Sequence, residues 1–363
     1  MATKSRNSRN GAVMKLKEYL EQIKPVDKKA MELAEKRWDS IAKPLKSLGK
    51  IETNLIQIAG IQRTSAICLK KKALVVMCAD NGVVEEGVTQ TGQEVTAIVA
   101  ENFLDEKSCA AIMCEDTGTD IFPIDIGMAV DTPRVEKHKI AYGTKNMAKE
   151  PAMTREEAER GIITGIQIVE RLKKEGYDII ATGEMGIGNT TTSSAVAGVL
   201  LNQSVESVTG RGAGLDSAGL KRKMEVIKKA IKMHKPNPKD PVDVLAKVGG
   251  FDIAGLAGLY LGGAIYGIPV VADGFISSVA ALTAIRMEPL VQDYVLASHV
   301  SKEPAGAMIL EAIGKSPSIT CDMCLGEGTG AVALFPLLSM GLHIYEKMST
   351  FAQIEIADYV PLE

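Results

Sequence analysis

Three glycine-rich segments of this chain carry side chains suited to group transfer on a phosphorylated substrate. The first is Gly183-Glu184-Met185-Gly186-Ile187-Gly188-Asn189-Thr190-Thr191, which follows a short apolar run and opens a helical pattern. Its free backbone amides stand at a helix N-terminus and suit a phosphate or an anionic ring substituent. It has neither the Gly-Lys-Ser/Thr of a Walker loop nor the Gly-x-Gly-x-x-Gly of a dinucleotide fingerprint. A plain turn with Glu184 in solvent would need fewer glycines and no carboxylate. The second, Leu325-Gly326-Glu327-Gly328-Thr329-Gly330-Ala331, sets Glu327 between glycines, so whatever packs across from it fixes its proton affinity, as suits a general base. The alternative for that segment is a helix start with Thr329 as cap and Glu327 near the dipole. The third, Val208-Thr209-Gly210-Arg211-Gly212-Ala213-Gly214, is followed by Arg222 and Lys223 on a helical pattern, and a glycine loop with a reachable lysine can clamp phosphate.

Other reactive residues form no set. No Ser-His-Asp or Cys-His nucleophile arrangement can be placed by spacing, and His299, between Ser298 and Ser301, reads as a structural loop histidine. Cys321-x-x-Cys324 is an isolated pair, and the four histidines supply no second pair at metal spacing. No metal and no cofactor is therefore expected. The basic run Lys221–Lys235 places Met224, Ile227 and Ile231 on a narrow stripe that Glu225 interrupts, and it reads as a solvated helix face.

The elements that must hold these loops are legible as short β-rich runs ending in polar-glycine turns. They are Ala73–Ala79 before Asp80-Asn81-Gly82, Asp120–Ile126 before Gly127, Asp178–Thr182 before Gly183 and Pro269–Ala272 before Asp273-Gly274. Helical patterns separate them, the clearest from Thr154 to Gly176, where Thr154 and Glu157 form a capping box. Strand followed by helix, repeated, predicts an α/β fold with a parallel sheet, whose ligands bind at the carboxyl ends of the strands. The first ~70 residues are helical without strands, in Lys15–Ile23, Lys28–Trp38 and Leu48–Gln62, and helix returns from Ala331 towards Met348. The expected division is thus an N-terminal tail and helices over 1–70, an α/β catalytic unit over 71–330, and a helical segment over 331–363 that completes a small helical domain with the first.

Composition sets the outer limits. With 42 Lys+Arg against 45 Asp+Glu and 4% aromatic residues in 363, there is no basic field or stacking platform for nucleic acid. Ile253 to Ala272 is uncharged, but its glycines and Pro269 make it a buried helix followed by a buried strand rather than a membrane span. Six scattered cysteines and a start without an apolar signal stretch place the chain in a reducing cytoplasm. Lys4, Arg6 and Arg9, with serines and asparagines around them, read as a disordered tail.

The ordered set of motifs resembles the nicotinate-nucleotide:dimethylbenzimidazole phosphoribosyltransferase family over roughly residues 37 to 357. Besides the loops around Glu184 and Glu327, it comprises Lys43-Pro44 through Glu52, Gly87-Val88 through Thr96, Gly143-Thr144 through Thr154, Asp273-Gly274-Phe275 and Ser301-Lys302-Glu303. The resemblance implies a doubly wound parallel sheet, a small helical domain built from both chain ends, and a homodimer with active sites near the subunit interface. It implies transfer of 5-phosphoribose from nicotinate mononucleotide to a cobamide lower-ligand base, with inversion at C1′. Glu327 would be the catalytic base and Glu184 would support the ribosyl and base end. Gly186, Gly212, Lys223 and Ser301 would lie near the nucleotide and its phosphate, and Thr89, Ala97, Met185 and Leu325 around the substrates. The sequence departs from the family at Leu45-Lys46, Asn81, Thr91-Gly92 and Ala97, all around the acceptor pocket. A phenolic acceptor such as phenol or p-cresol is therefore expected alongside 5,6-dimethylbenzimidazole, and a heterodimer with a related subunit alongside the homodimer. The competing readings are a non-catalytic partner subunit and a sugar-phosphate-binding regulator, neither of which gives two glycine-flanked carboxylates a purpose.

Overall fold

The computed structural model describes residues 14–357 and 359; the basic segment with Lys4, Arg6 and Arg9 lies outside them. Three helices come first: α1 (Leu16–Leu20), α2 (Lys28–Ser40) and α3 (Lys50–Gln62). Strand β1 (Lys72–Ala79) is followed by α4 (Glu94–Asn102), α5 (Cys109–Thr117), β2 (Thr119–Gly127) and the short β3 (Glu136–Lys137). After α6 (Arg155–Lys174) and β4 (Ile179–Met185) come four helices, α7 (Asn189–Leu201), α8 (Val205–Val208), α9 (Ser217–His234) and α10 (Pro241–Val248). The chain continues through α11 (Phe251–Tyr266), β5 (Val270–Ala272), α12 (Phe275–Met287), β6 (Val295–Ala297), α13 (Gly306–Ala312) and α14 (Thr329–Lys347).

The six strands form one sheet in the order β3-β2-β1-β4-β5-β6, and every pairing is parallel. This is the doubly wound order, with β1 at the centre and the direction of winding reversing between β1 and β4. Ala73, Val75 and Met77 of β1 point into one apolar cluster and Leu74, Val76 and Cys78 into the other. Burial on both faces is why β1 reads as an unbroken apolar run rather than an alternating one. The uncharged run from Ile253 became the buried α11, packed tightly against α6, and no described helix is long and apolar enough to cross a membrane.

Helices from the two ends of the chain meet on the second face. Trp38 of α2 and Tyr345 of α14 stack at 5.2 Å between ring centroids, and the Tyr345 hydroxyl donates to the Ser65 carbonyl at 3.0 Å. Beneath them, Lys43 and Glu52 form a buried ion pair at 2.7 Å. The same α14 also packs on α5 and β4, so its N-terminus reaches the carboxyl edge of the sheet.

Candidate active site

The carboxyl ends of β4 and β5 and the loop before α14 enclose a cavity of about 270 Å³. Glu184, Met185, Gly186, Gly212, Ser301, Leu325 and Glu327 all line it, so seven of the ten residues singled out from the sequence meet in one place. Thr89 lines an adjoining cavity of about 120 Å³ that shares Gly186, Ile187, Asn189 and Thr190 with the first. Lys223 stands behind the wall, its Nζ donating to Thr190 Oγ1 at 2.8 Å and to the Gly210 carbonyl at 3.1 Å. Ala97 is the exception. It is partly buried on α4 and packs, as Val99 does, against the second apolar cluster, and Val99, two residues on, is the α4 residue that lines the cavity.

Glu184 is not a loop residue, as the glycine pattern implied, but the sixth residue of β4, buried at 8% exposure. Its Oε2 accepts a hydrogen bond from the Asn189 amide at the start of α7. Burial raises its carboxyl to about 8, with Asp252 adding to the rise and Asn189 opposing it. Glu327, half-buried in the same lining, has its backbone in the left-handed region, at φ 62°. Its Oε2 accepts from the Ala110 N–H of α5 at 3.2 Å, and burial raises its carboxyl too, against that one bond.

The Glu327 loop is held by a residue that the sequence showed only as part of a turn. Asp273, just past β5, accepts from the Gly330 and Ala331 N–H groups at 2.7 and 3.1 Å through Oδ1 and from Gly328 at 3.3 Å through Oδ2. Its carboxylate thus caps α14 from another element and satisfies amides that the helix leaves unpaired. Burial lifts Asp273 to about 7 even so. His299 lies beside it, Nδ1 3.9 Å from Oδ1, with its pKa lowered by burial. It is a buried part of the cavity wall. Cys324 lines the same wall; among the described residues no three His, Cys, Asp or Glu side chains are placed to hold a metal.

Gly326 makes the close approach of the Glu327 loop to Glu184 possible. Its φ is +92°, and a Cβ there would meet Glu184 Oε1. Gly326→Ala is expected to lower stability by about 1–3 kcal/mol and to push the loop away from Glu184. Thermal unfolding together with turnover would check this; a variant matching the wild type in both would show that the loop has slack.

Three carboxyl groups held well above the ordinary ~4 of an unfolded chain, Glu184 at about 8 and Asp252 and Asp273 at about 7, make folding take up protons. Between pH ~5 and ~8 the folded state then binds more protons than the unfolded one, so stability falls as pH rises. His299, with a lowered pKa, works the other way only below ~6.5, and Lys223 and Lys315, lowered to about 8, oppose the three acids only towards the alkaline end of that interval. The unliganded protein is expected to melt at a lower temperature at pH 8 than at pH 6. A melting temperature that rises over this interval would contradict the burial of these groups as acids.

At this site the chain brings together Thr190 and Gly212 with Lys223 behind them, the apolar side chains of Val99, Met185 and Leu325, and the carboxyl groups of Glu184 and Glu327. Residues 23–356 match the family described as Phosphoribosyltransferase. The nicotinate-nucleotide–dimethylbenzimidazole phosphoribosyltransferase of Ruminiclostridium cellulolyticum is 47% identical over 352 residues, covering 96% of this chain and 100% of the relative. The enzyme of the same name from Acetivibrio thermocellus is 46% identical over 344 residues, 94% of this chain and 98% of its own. The crystal structure of CobT from Thermus thermophilus superposes with a TM-score of 0.86 at 37% identity, covering 91% of this chain and 100% of that one. On its sequence, fold and site, the chain belongs to the nicotinate-nucleotide–dimethylbenzimidazole phosphoribosyltransferase family and is a phosphoribosyltransferase.

Proposed function

We propose that the chain transfers 5-phosphoribose from nicotinate mononucleotide to a cobamide lower-ligand base, releasing nicotinate and forming an α-riboside phosphate. The observation that carries this reading is that Glu184 and Glu327 line one cavity together with Thr190 and Gly212, behind which the Lys223 ammonium donates to Thr190. Nicotinate leaves as a neutral-ringed group from a pyridinium, so an oxocarbenium-like transition state forms with little help at the leaving group. The protein's tasks are to align the acceptor with C1′ and to take its proton as the new bond forms. Glu327 performs the second task. Lys223 and Thr190 hold the 5′-phosphate through charge-assisted hydrogen bonds.

The acceptor end of the cavity is walled by Val99, Met185 and Leu325. This apolar lining supports a flat aromatic acceptor, and phenol or p-cresol, which presents a single hydroxyl to a carboxylate, is supported alongside 5,6-dimethylbenzimidazole. The acceptor selectivity ascribed to Ala97 belongs in this reading to Val99, Met185 and Leu325. Leu325, 57% exposed at the cavity mouth, supports an active form in which a second subunit, identical or related, covers the site. A cytoplasmic enzyme fits these substrates.

Incubating the purified chain with nicotinate mononucleotide and a panel of acceptors tests the proposal. Nicotinate release that requires an acceptor is the expected result. Absence of release with every acceptor, alone and with any co-purifying subunit, would favour a non-catalytic partner or a sugar-phosphate-binding protein. Competition between p-cresol and 5,6-dimethylbenzimidazole in one tube decides the acceptor class, and exclusive use of the benzimidazole would eliminate the phenolic reading.

A further inference from the structure

Behind Glu184 lies an acid that neither the sequence motifs nor the cavity lining brings forward. Asp252, the second residue of α11, is fully buried. Its Oδ1 accepts from the Ile253 N–H at 2.9 Å, and its Oδ2 has no hydrogen-bond partner. That bare oxygen lies beside Gly186, where an added Cβ would sit 2.8 Å from it and 3.3 Å from the Asn189 Nδ2. Asn189 therefore stands between two acids: its amide donates to Glu184, and it opposes the rise in Asp252 as well.

The surroundings supply acids and no cation. Glu184 is faced by Asp252 from α11, by Asp273 from the end of β5 and by Glu327 from the loop before α14, while Asp80 faces Asp252 from the end of β1. Cys78 on β1 is a buried thiol whose pKa is raised, which keeps it neutral. Among the described residues no ion pair reaches Glu184 or Asp252; Lys139 is taken up by Asp125 and Asp131, and His299 faces Asp273. Two buried carboxyl groups beside one amide, without a counter-ion, cannot both be charged at neutral pH.

We propose that Asp252 is a positioning residue of this phosphoribosyltransferase: across Asn189 it shares one proton with Glu184. Glu184 then meets the substrates as a neutral hydrogen-bond donor, and Glu327 stays the charged carboxylate that takes up a proton. The division follows from depth. The buried pair retains its proton, whereas Glu327 is half-exposed and carries less neighbouring negative charge because the pair is not doubly ionised. The two deep groups titrate as a unit. The catalytic consequence rests on the proposed reaction; the proton itself does not.

The test reads both. Infrared difference spectra of the unliganded wild type between neutral and alkaline pH are expected to show the C=O stretch of a protonated carboxylic acid, and Glu184→Gln is expected to remove the part that titrates at the alkaline end. Asp252→Asn keeps an acceptor for the Ile253 N–H and removes the neighbouring charge, so Glu184 loses its proton earlier. The infrared midpoint and the alkaline limb of kcat/KM for nicotinate mononucleotide are both expected to move down by roughly one pH unit, the acid limb staying in place. A merely structural Asp252 would lower the melting temperature and leave the limb unmoved, which would overturn the proposal. No carboxylic-acid band in the wild type, or an undiminished band in Glu184→Gln, would overturn it equally, and these two readings stand even if Asp252→Asn does not fold. If the wild type releases no nicotinate with any acceptor, the reaction assigned above fails while the infrared result still decides the shared proton.

Discussion

Glu327→Gln is expected to reduce kcat by about 10²–10⁴, the usual contribution of a positioned general base, with little change in KM for nicotinate mononucleotide. The amide preserves the shape of the side chain, and its oxygen can still accept from the Ala110 N–H that holds Oε2 in the wild type. What it loses is the ability to take a proton from the acceptor at neutral pH. The wild-type rate should fall towards acid as Glu327 becomes protonated, at a pH above the ordinary carboxylate range because burial raises that group. In the variant this limb disappears. Steady-state kinetics across pH, with melting temperature as a control for folding, would check it. A variant with unaltered kcat and an intact acid limb would remove Glu327 from its role.

Lys223→Met is expected to act on the other substrate group. Lys223 is fully buried, and burial lowers its pKa to about 8, opposed by the more distant charge of Glu303. Its hydrogen bonds go to Thr190 and the Gly210 carbonyl, so among the described residues the desolvated ammonium faces no carboxylate within ion-pair distance. A phosphate would supply that partner and restore the lysine's affinity for its proton. Replacing it with methionine should cost about 2–3 kcal/mol, or roughly 30- to 150-fold in kcat/KM for nicotinate mononucleotide. Nicotinate riboside, which has no phosphate, should be used equally poorly by both proteins. The melting temperature should change little, since an unpaired buried charge is exchanged for an apolar side chain of similar length. Equal losses on nucleotide and riboside would place Lys223 away from the phosphate.

How far the sequence reveals this arrangement depends on the physical origin of each signal. β1, β2, β4 and β5 are legible because strands buried on both faces leave runs of apolar residues, and the observed β1 at Lys72–Ala79 differs from the expected run by one residue. The expectation for β4 stopped at Thr182, whereas the strand runs to Met185, because a glycine and a glutamate are poor strand formers that pairing with β1 overrides. The two-residue β3 and three-residue β6 carry too little pattern to be read. Glu184 and Glu327 are visible through their glycines. Asp273 shows as a turn residue, but its capping of α14 is a contact across 57 positions of sequence. Asp252 has no local signal at all, since its importance comes from where α11 packs. Ala97 shows the limit of a motif: its place there pointed to the pocket, whereas Val99 is the α4 residue that lines the cavity.

The cap that Asp273 places on α14 has a consequence in time. Glu184 precedes Glu327 by 143 positions of chain, and Asp273 lies between them. At ~5–20 residues per second of synthesis, about 7–30 s separate the appearance of the two carboxylates. During that interval Glu184, Asp252 and Asp273 have neither the Glu327 loop nor the α14 amides to cover them. The segments that carry Thr190, Gly212 and Lys223 are thus made well before Glu327. Glu184 and Glu327 come to line one cavity only when the last long helix folds back onto the sheet.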